Sequence, residues 1–98
     1  MAAPIYVFSA SRHTEAYYEH SEECEADWAK VKANREELGA KGIMVCDIGW
    51  SSEWDGLLVD EWPSVEALQE HTRFCNELNW MRYYEPGVVI LGTKLESS

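Results

Sequence analysis

Positive charge is scarce in this chain. Its 98 residues hold 8 Lys and Arg against 18 Asp and Glu, a formal net charge of −10. A field of that sign repels phosphate backbones and anionic headgroups, which argues against nucleic acid and membrane surfaces as partners. Cysteine is scarce too: Cys24, Cys46 and Cys75 cannot pair completely and form no CxxC. Free thiols in a reducing cytoplasm are the expectation. No apolar run is long enough to cross a bilayer, and Met1-Ala2-Ala3-Pro4 lacks the basic region of a signal peptide, so an intracellular protein is expected. There is no Gly-rich phosphate loop, no Ser-His-Asp order and no pair of catalytic carboxylates. Glu22 and Glu23 are adjacent and point to different sides of their helix. No linker, low-complexity segment or repeat divides the chain, and residues 1–98 read as one domain.

Apolar and aromatic residues are plentiful. They make up 46% and 12% of the chain, and five Trp with five Tyr exceed what a minimal core needs. The excess points to a pocket, an interface, or both.

Ile5 to Ala10 is β-branched and aromatic and predicts a first strand. Ser11 or Thr14 then caps one long helix, with Tyr17, Ser21, Cys24, Trp28, Val31, Arg35 and Leu38 on its inner face. The acidic stretch from Glu15 to Glu37 forms its wet side, and Gly39 and Gly42 end it. Ile43 to Trp50 and Gly56 to Trp62 predict two more strands, joined by a hairpin loop from Ser51 to the Asp55-Gly56 turn. Pro63 breaks the strand and Ser64 caps a second helix. Val65, Leu68, Thr72 or His71, Cys75, Leu78 and Arg82 mark its inward stripe. Pro86-Gly87 stops it, a fourth strand runs from Val88 to about Lys94, and Glu96-Ser97-Ser98 is a tail. The order βαββαβ is the ferredoxin-like, split β-α-β class of α+β fold: a four-stranded antiparallel sheet with both helices on one face.

Both faces of each strand carry apolar residues, as with Ile5 and Val7 against Tyr6 and Phe8. A sheet with one wet face should alternate apolar and polar. Two helices cover only one face, and the other would expose more than the roughly 300–600 Å² of apolar patch usual for a monomer. A homodimer formed sheet against sheet is the expected cover.

The stretch Asp60-Glu61-Trp62-Pro63-Ser64-Val65-Glu66-Ala67-Leu68-Gln69-Glu70-His71 resembles the strand-to-helix junction of the dimeric α+β barrel superfamily. It is most similar to the antibiotic-biosynthesis-monooxygenase branch, where a strand-ending Trp precedes a capped helix bearing a His. The resemblance implies sheet-to-sheet dimers with a cavity between sheet and helices in each subunit. It also implies activities ranging over cofactor-free quinol or polyketide oxidation, haem breakdown, isomerisation and cyclisation. In that family a His at the position of His71 lines the cavity. Its oxygenases carry a polar residue on the first strand, commonly Asn, where this chain has Ser9 and Ser11.

His71 is the candidate catalytic residue. It shares a helical seam with Leu68, Cys75 and Leu78, and it would serve as a base, as a metal ligand, or as a structural hydrogen-bonded histidine. Trp62, Ser9 and Cys75 are the candidate substrate-binding residues, with core packing as the plainer role for Trp62. Arg12 and His13 sit at a strand-to-helix corner and either bind an anionic group or are exposed loop residues. His20 with Cys24, and His71 with Cys75, are each spaced i,i+4 at similar heights on the two helices. Together they would hold Zn²⁺ tetrahedrally, or the thiols pack as small hydrophobes. No metal site and no cofactor are assigned. The expected function is a small-molecule enzyme acting on a planar or aromatic substrate, as a cofactor-free monooxygenase, isomerase or cyclase. A non-catalytic ligand-binding or assembly module is the alternative, and haem binding through His71 a further one.

Overall fold

A computed structural model of the chain describes residues 4–50 and 53–95, the Pro86 side chain excepted. The elements are β1 (Ile5–His13), α1 (Glu15–Glu19), α2 (Ser21–Glu37), β2 (Lys41–Asp47), β3 (Gly56–Trp62), α3 (Val65–Leu78), a 3-10 turn (Trp80–Tyr83) and β4 (Tyr84–Gly92). The strands form one antiparallel sheet in the order β2-β3-β1-β4, which is the ferredoxin-like α+β arrangement expected from the sequence. The expected loop residues Ser51 and Ser52 and the tail Glu96-Ser97-Ser98 lie outside the described residues.

Register assigns each sheet residue to a face. Met44, Val59, Phe8 and Ile90 form one cross-strand row, and Cys46, Leu57, Ala10 and Val88 the next. Both rows point away from the helices. On the other face, Val45, Leu58, Ser9 and Val89 form a row, with Gly42, Asp60, Val7 and Leu91 beside it. The helices cover the centre of that second face. Phe8, Met44, Val88 and Ile90 remain exposed on the first. Two of its rows are thus apolar from edge to edge, which no monomeric antiparallel sheet needs.

Several boundaries differ from the sequence reading. The first helix is two: His20 leaves helical geometry at φ −123°, ψ 48°, ending α1 and starting α2. The break lets α1 tilt onto the 3-10 turn while α2 follows the sheet. Thr14 precedes α1 without capping it, because its hydroxyl donates to the Arg82 carbonyl. β1 runs three residues past Ala10, held by β4 through Arg12 and His13. β2 starts earlier and stops at Asp47, whose carboxylate accepts the Gly49 N–H and opens the turn. α3 stops at Leu78 rather than Pro86, because Asn79 adopts the left-handed conformation at φ 55°. Pro86 and Gly87 lie inside β4. An edge strand tolerates a residue without an N–H, and Gly87 is the extra residue of a bulge opposite Ala10 and Ser11. A Cβ on Gly87 would run into the Trp54 ring.

The core centres on Cys24, Val31, Cys75, Trp80 and Tyr83. α2 presents Cys24, Asp27 and Val31 inward, while Ser21 and Trp28, expected on that face, are exposed. Asp27 is only 7% exposed and accepts from Arg82 at 2.8 Å and from the Tyr83 hydroxyl at 3.1 Å. A buried carboxylate needs such partners, and these pin the 3-10 turn to α2. On α3, Ser64 accepts the Ala67 N–H at 3.1 Å, and His71 rather than Thr72 turns inward beside Leu68, Cys75 and Leu78.

Candidate functional site

Two cavities lie between sheet and helices and share Trp28, Leu58, Trp80 and Met81 as walls. The larger, of about 380 Å³, is floored by Ser9, Ser11 and Leu58 and reached by His13 and Tyr84. Its size falls in the range of roughly 300–1,000 Å³ typical of small-molecule sites, and Trp28, Trp80 and Tyr84 give it aromatic walls beside the aliphatic Val45 and Leu57. The sheet supplies the polar floor because Ser9, Ser11 and His13 alternate onto one face of β1. The Asp27 anchor supplies the ceiling, since it fixes the turn that carries Trp80 and Met81.

His13 is built into this wall by several contacts. Its ring stacks on Tyr17 at 3.9 Å and 13°, and its Nδ1 lies 3.5 Å from Asp55 Oδ2. The same carboxylate oxygen accepts the His13 backbone N–H at 2.8 Å, and Asp55 N–H donates to the Ser11 carbonyl at 2.9 Å. The bend before β3 is therefore folded onto the end of β1, where it presents a carboxylate to an imidazole. Burial, with the charges of Cys24 and Tyr17 adding to it, pushes the Tyr84 phenol up to about 12. It stays a neutral donor at any ordinary pH.

The smaller cavity, of about 240 Å³, gathers His71, Cys75 and Trp62 with the Arg35–Asp60 pair. His71 Nδ1 is 2.8 Å from Asn34 Oδ1, and its Nε2 is 3.4 Å from Cys75 Sγ. An amide oxygen only accepts, so Nδ1 carries the proton and Nε2 the lone pair that faces the thiol. Burial, and then the Arg35 charge, lowers the His71 pKa to about 4. Burial also pushes the Cys75 thiol up, against the pull of Arg35. Cysteine and histidine thus meet as two neutral groups, a protonated thiol beside a free imidazole. Trp62, 2% exposed, packs its ring 5.0 Å from that of His71. Arg35 reaches across from α2 to ion-pair with Asp60 on β3, and burial raises the Asp60 pKa while Arg35 opposes it.

The structure thus brings Trp62, His71 and Cys75 together, and sets Ser9 in the neighbouring cavity. The four-residue cluster weighed for zinc does not assemble. His20 is exposed at the helix break, 3.8 Å from Glu23, while Cys24 and Cys75 pack in the core. Among the described residues no three His, Cys, Asp or Glu side chains converge as a metal site. Arg12 turns to the sheet's far side, pairing with Glu85 at 3.3 Å and lying over Trp54 at 4.6 Å. Sequence reasoning passed over Trp80, Met81 and Tyr84. Their signal was the aromatic density of Trp80 to Tyr84 directly after a helix.

No protein-family model matches the chain, and no curated protein matches it. Solved structures do. Chlorite dismutase from Candidatus Nitrospira defluvii in complex with imidazole superposes with a TM-score of 0.73 at 14% identity, over 95% of this chain and 40% of that one. A mutant of the same enzyme gives 0.75 at 13%, over 98% and 42%. The methylated RPA0582 protein gives 0.69 at 21%, over 98% of this chain and 84% of that one. This chain spans about two fifths of the length of the chlorite dismutase chains it matches. At such identities the likeness shows the fold. That fold is the one the resemblance at the Asp60-to-His71 junction implies, and the likeness gives no support to the antibiotic-biosynthesis-monooxygenase branch.

Proposed function

We propose that this chain binds a planar, largely apolar small molecule in the larger cavity and exchanges a proton with it through His13. The observation that carries this reading is the cavity of about 380 Å³ with aromatic walls and three polar groups on one strand. Flat rings gain most between Trp and Tyr faces, and a few hydroxyl and imidazole groups fix their orientation. Asp55 beside Nδ1 stabilises the imidazolium that forms when His13 takes a proton, and leaves Nε2 for the ligand. Deprotonating an activated ring carbon gives an anion with two fates. It rearranges, or it reacts with O₂ so that a CH₂ becomes C=O and the second oxygen atom leaves as water. These are the isomerase or cyclase and cofactor-free monooxygenase chemistries that the sequence resemblance implies.

His71, Cys75 and Trp62 enter the same reading one layer deeper. A base whose conjugate acid titrates near 4 is weak at neutral pH, so His71 is assigned to orienting the inner wall rather than to the main proton transfer. Ser9 is assigned to the ligand directly. The apolar rows on the far sheet face support a homodimer that closes sheet on sheet, leaving both cavities on the outside.

Haem through His71 is the second reading. Its donor chemistry is favourable, since Asn34 holds Nδ1–H and leaves the Nε2 lone pair, as for many metal-bound histidines. The space is not. Nε2 faces Cys75, and about 240 Å³ is less than drug-sized ligands need, so haem does not fit there without rearrangement.

The test is a panel of hydroxylated naphthalenes and anthrones, followed by Trp fluorescence, absorbance and oxygen uptake. Quenching in the wild type that is lost in Ser9→Leu, with turnover lost in His13→Gln, is the expected result. Binding without turnover leaves the non-catalytic ligand-binding module. No quenching by any compound sinks the cavity reading, and a Soret band on adding hemin that disappears in His71→Ala would replace it with the haem reading.

A further inference from the structure

The smaller cavity holds a set of side chains that proton exchange at His13 does not use. We infer that Cys75 is a nucleophile there, activated by His71 and aimed at the carbonyl of a short, uncharged, activated acyl ester. This goes beyond the proposed function and is independent of it.

Three groups stand in the order that nucleophilic catalysis requires. Cys75 and His71 are four residues apart on α3, so thiol and imidazole share one face of the helix. The thiol donates toward Nε2 across 3.4 Å, and Nδ1–H donates to Asn34 Oδ1 at 2.8 Å. Asn34 comes from α2 and holds the ring from the side opposite the thiol. Nucleophile, base and a group that orients the base make a triad, known by its geometry rather than by chain order. Cysteine, histidine and asparagine are one of its forms. Cys75 and His71 both border the cavity, so the reacting end of the triad faces open space.

A second observation points to a bound group. Arg35 lines the same cavity, and its Nε–H is buried without an acceptor, although the guanidinium also pairs with Asp60. A buried donor left unmade is costly, and a charged one more so. A carbonyl oxygen that becomes an oxyanion is the acceptor such a donor lacks.

Size and charge set the ligand. The recess holds about 240 Å³, less than a drug-sized molecule needs. Trp28 is a wall it shares with the larger cavity and with a groove beside Tyr18 and Glu25. A short acyl group therefore fits against Cys75 while its leaving group extends past that ring. The net charge of −10 turns away an anionic carrier, so the ester is uncharged.

Burial keeps thiol and imidazole neutral at rest. The thiol proton therefore leaves only as sulfur bonds to the carbonyl carbon. It passes to Nε2, the carbonyl electron pair moves onto oxygen, and Arg35 Nε–H meets that charge. Collapse expels the leaving group, which takes the proton from Nε2 and leaves S-acylated Cys75. Water then attacks the thioester and gives a proton to the same nitrogen. The departing sulfur recovers that proton, and the acid is released.

The experiment is acetylation of the full chain by p-nitrophenyl acetate, followed by p-nitrophenol release, intact mass and peptide mapping. A stoichiometric burst is expected, with the acetyl group on Cys75 ahead of Cys24 and Cys46. The burst rate should be level between about pH 5.5 and 7.5, because His71 is neutral throughout that range. His71→Gln should slow it about a hundredfold at about pH 6. The remaining rate should rise about tenfold per pH unit, as thiolate attack without a base does. Asn34→Leu should tilt the profile the same way, and Asn34→Asp, which keeps an acceptor, should keep it level. Circular dichroism checks the fold of each variant, and the wild-type profile needs no variant. No acetyl on Cys75, equal labelling of Cys46, a wild-type rate that climbs with pH as thiolate attack does, or a folded His71→Gln with the wild-type rate would each overturn the inference. The ester needs neither Ser9 nor His13, so this site and the aromatic-ligand site stand or fall separately.

Discussion

Asn34 on α2 and His71 on α3 are joined side chain to side chain at 2.8 Å, and that bond decides which ring nitrogen of the histidine holds its proton. Burial, and then the Arg35 charge, keeps the imidazole neutral when folded, with a pKa near 4 against 6.5 in the unfolded chain. The unfolded state then takes up the proton first as the pH falls. Stability from this group is complete above pH 6.5 and is lost between there and pH 4, up to about 3 kcal/mol in all. Urea midpoints at pH 7 and pH 4.5 for wild type and His71→Gln measure it. Wild type should lose about 2 kcal/mol more than the variant. Asp60 titrates in both proteins and cancels in the comparison, and equal losses would contradict the assignment.

Arg35 and Asp60 are almost fully enclosed, their side chains 14% and 8% exposed. Removing one partner strands the other charge in the interior. Arg35→Ala should therefore cost about 3–5 kcal/mol by chemical denaturation, and Asp60→Ala a similar amount. The double variant Arg35→Met with Asp60→Leu should recover most of the loss, because it leaves no buried charge.

Asp27 holds the 3-10 turn through Arg82 and Tyr83, and that turn carries the cavity ceiling. Asp27→Ala should destabilise by about 3 kcal/mol and loosen Trp80 and Met81 together. The Trp emission maximum should move to the red, and quenching by an aromatic ligand should weaken at least as much as stability does. A variant that loses stability but keeps ligand quenching unchanged would separate the turn from the site.

The sheet face opposite the helices offers the rows Met44-Val59-Phe8-Ile90 and Cys46-Leu57-Ala10-Val88. Phe8→Glu with Ile90→Lys places charges at two neighbouring positions of the first row, one central and one at its β4 end. Sedimentation equilibrium should give twice the chain mass for wild type and a single chain for the variant, with helical circular dichroism retained. A wild type that stays monomeric at tens of micromolar would refute the dimer.

What the sequence allows depends on how local each cause is. The Ser64 cap, the Trp62 strand end and the seam of Leu68, His71 and Cys75 follow from rules spanning a few residues, and the structure has them in place. The inner face of α2 follows only in part. Cys24, Val31 and Arg35 lie inward as expected, but Asp27 turns inward with them because its partner Arg82 arrives from another element, while Ser21 stays out and Trp28 half out. No helical periodicity signals such an exchange. His13 reads as a corner residue until Asp55, 42 positions on, folds back against it. The cavity ceiling depends on one left-handed residue, Asn79, that ends α3 two turns before the Pro-Gly stop.

Trp28 stands at the junction of all three spaces, a wall of each, yet it is 41% exposed and belongs to no core cluster. A partition of that kind is set by one rotamer, not by backbone. Its ring rests against Trp80 at 6.0 Å and near Arg35 at 5.8 Å, contacts that hold it without enclosing it. Swinging it outward would join the groove beside Tyr18 and Glu25, the Ser9 chamber and the His71 recess into one channel under the helices. Under the proposed function, the setting of this one side chain fixes the upper limit on ligand size. Replacing this single tryptophan with glycine is the shortest route to admitting molecules that none of the three spaces holds alone.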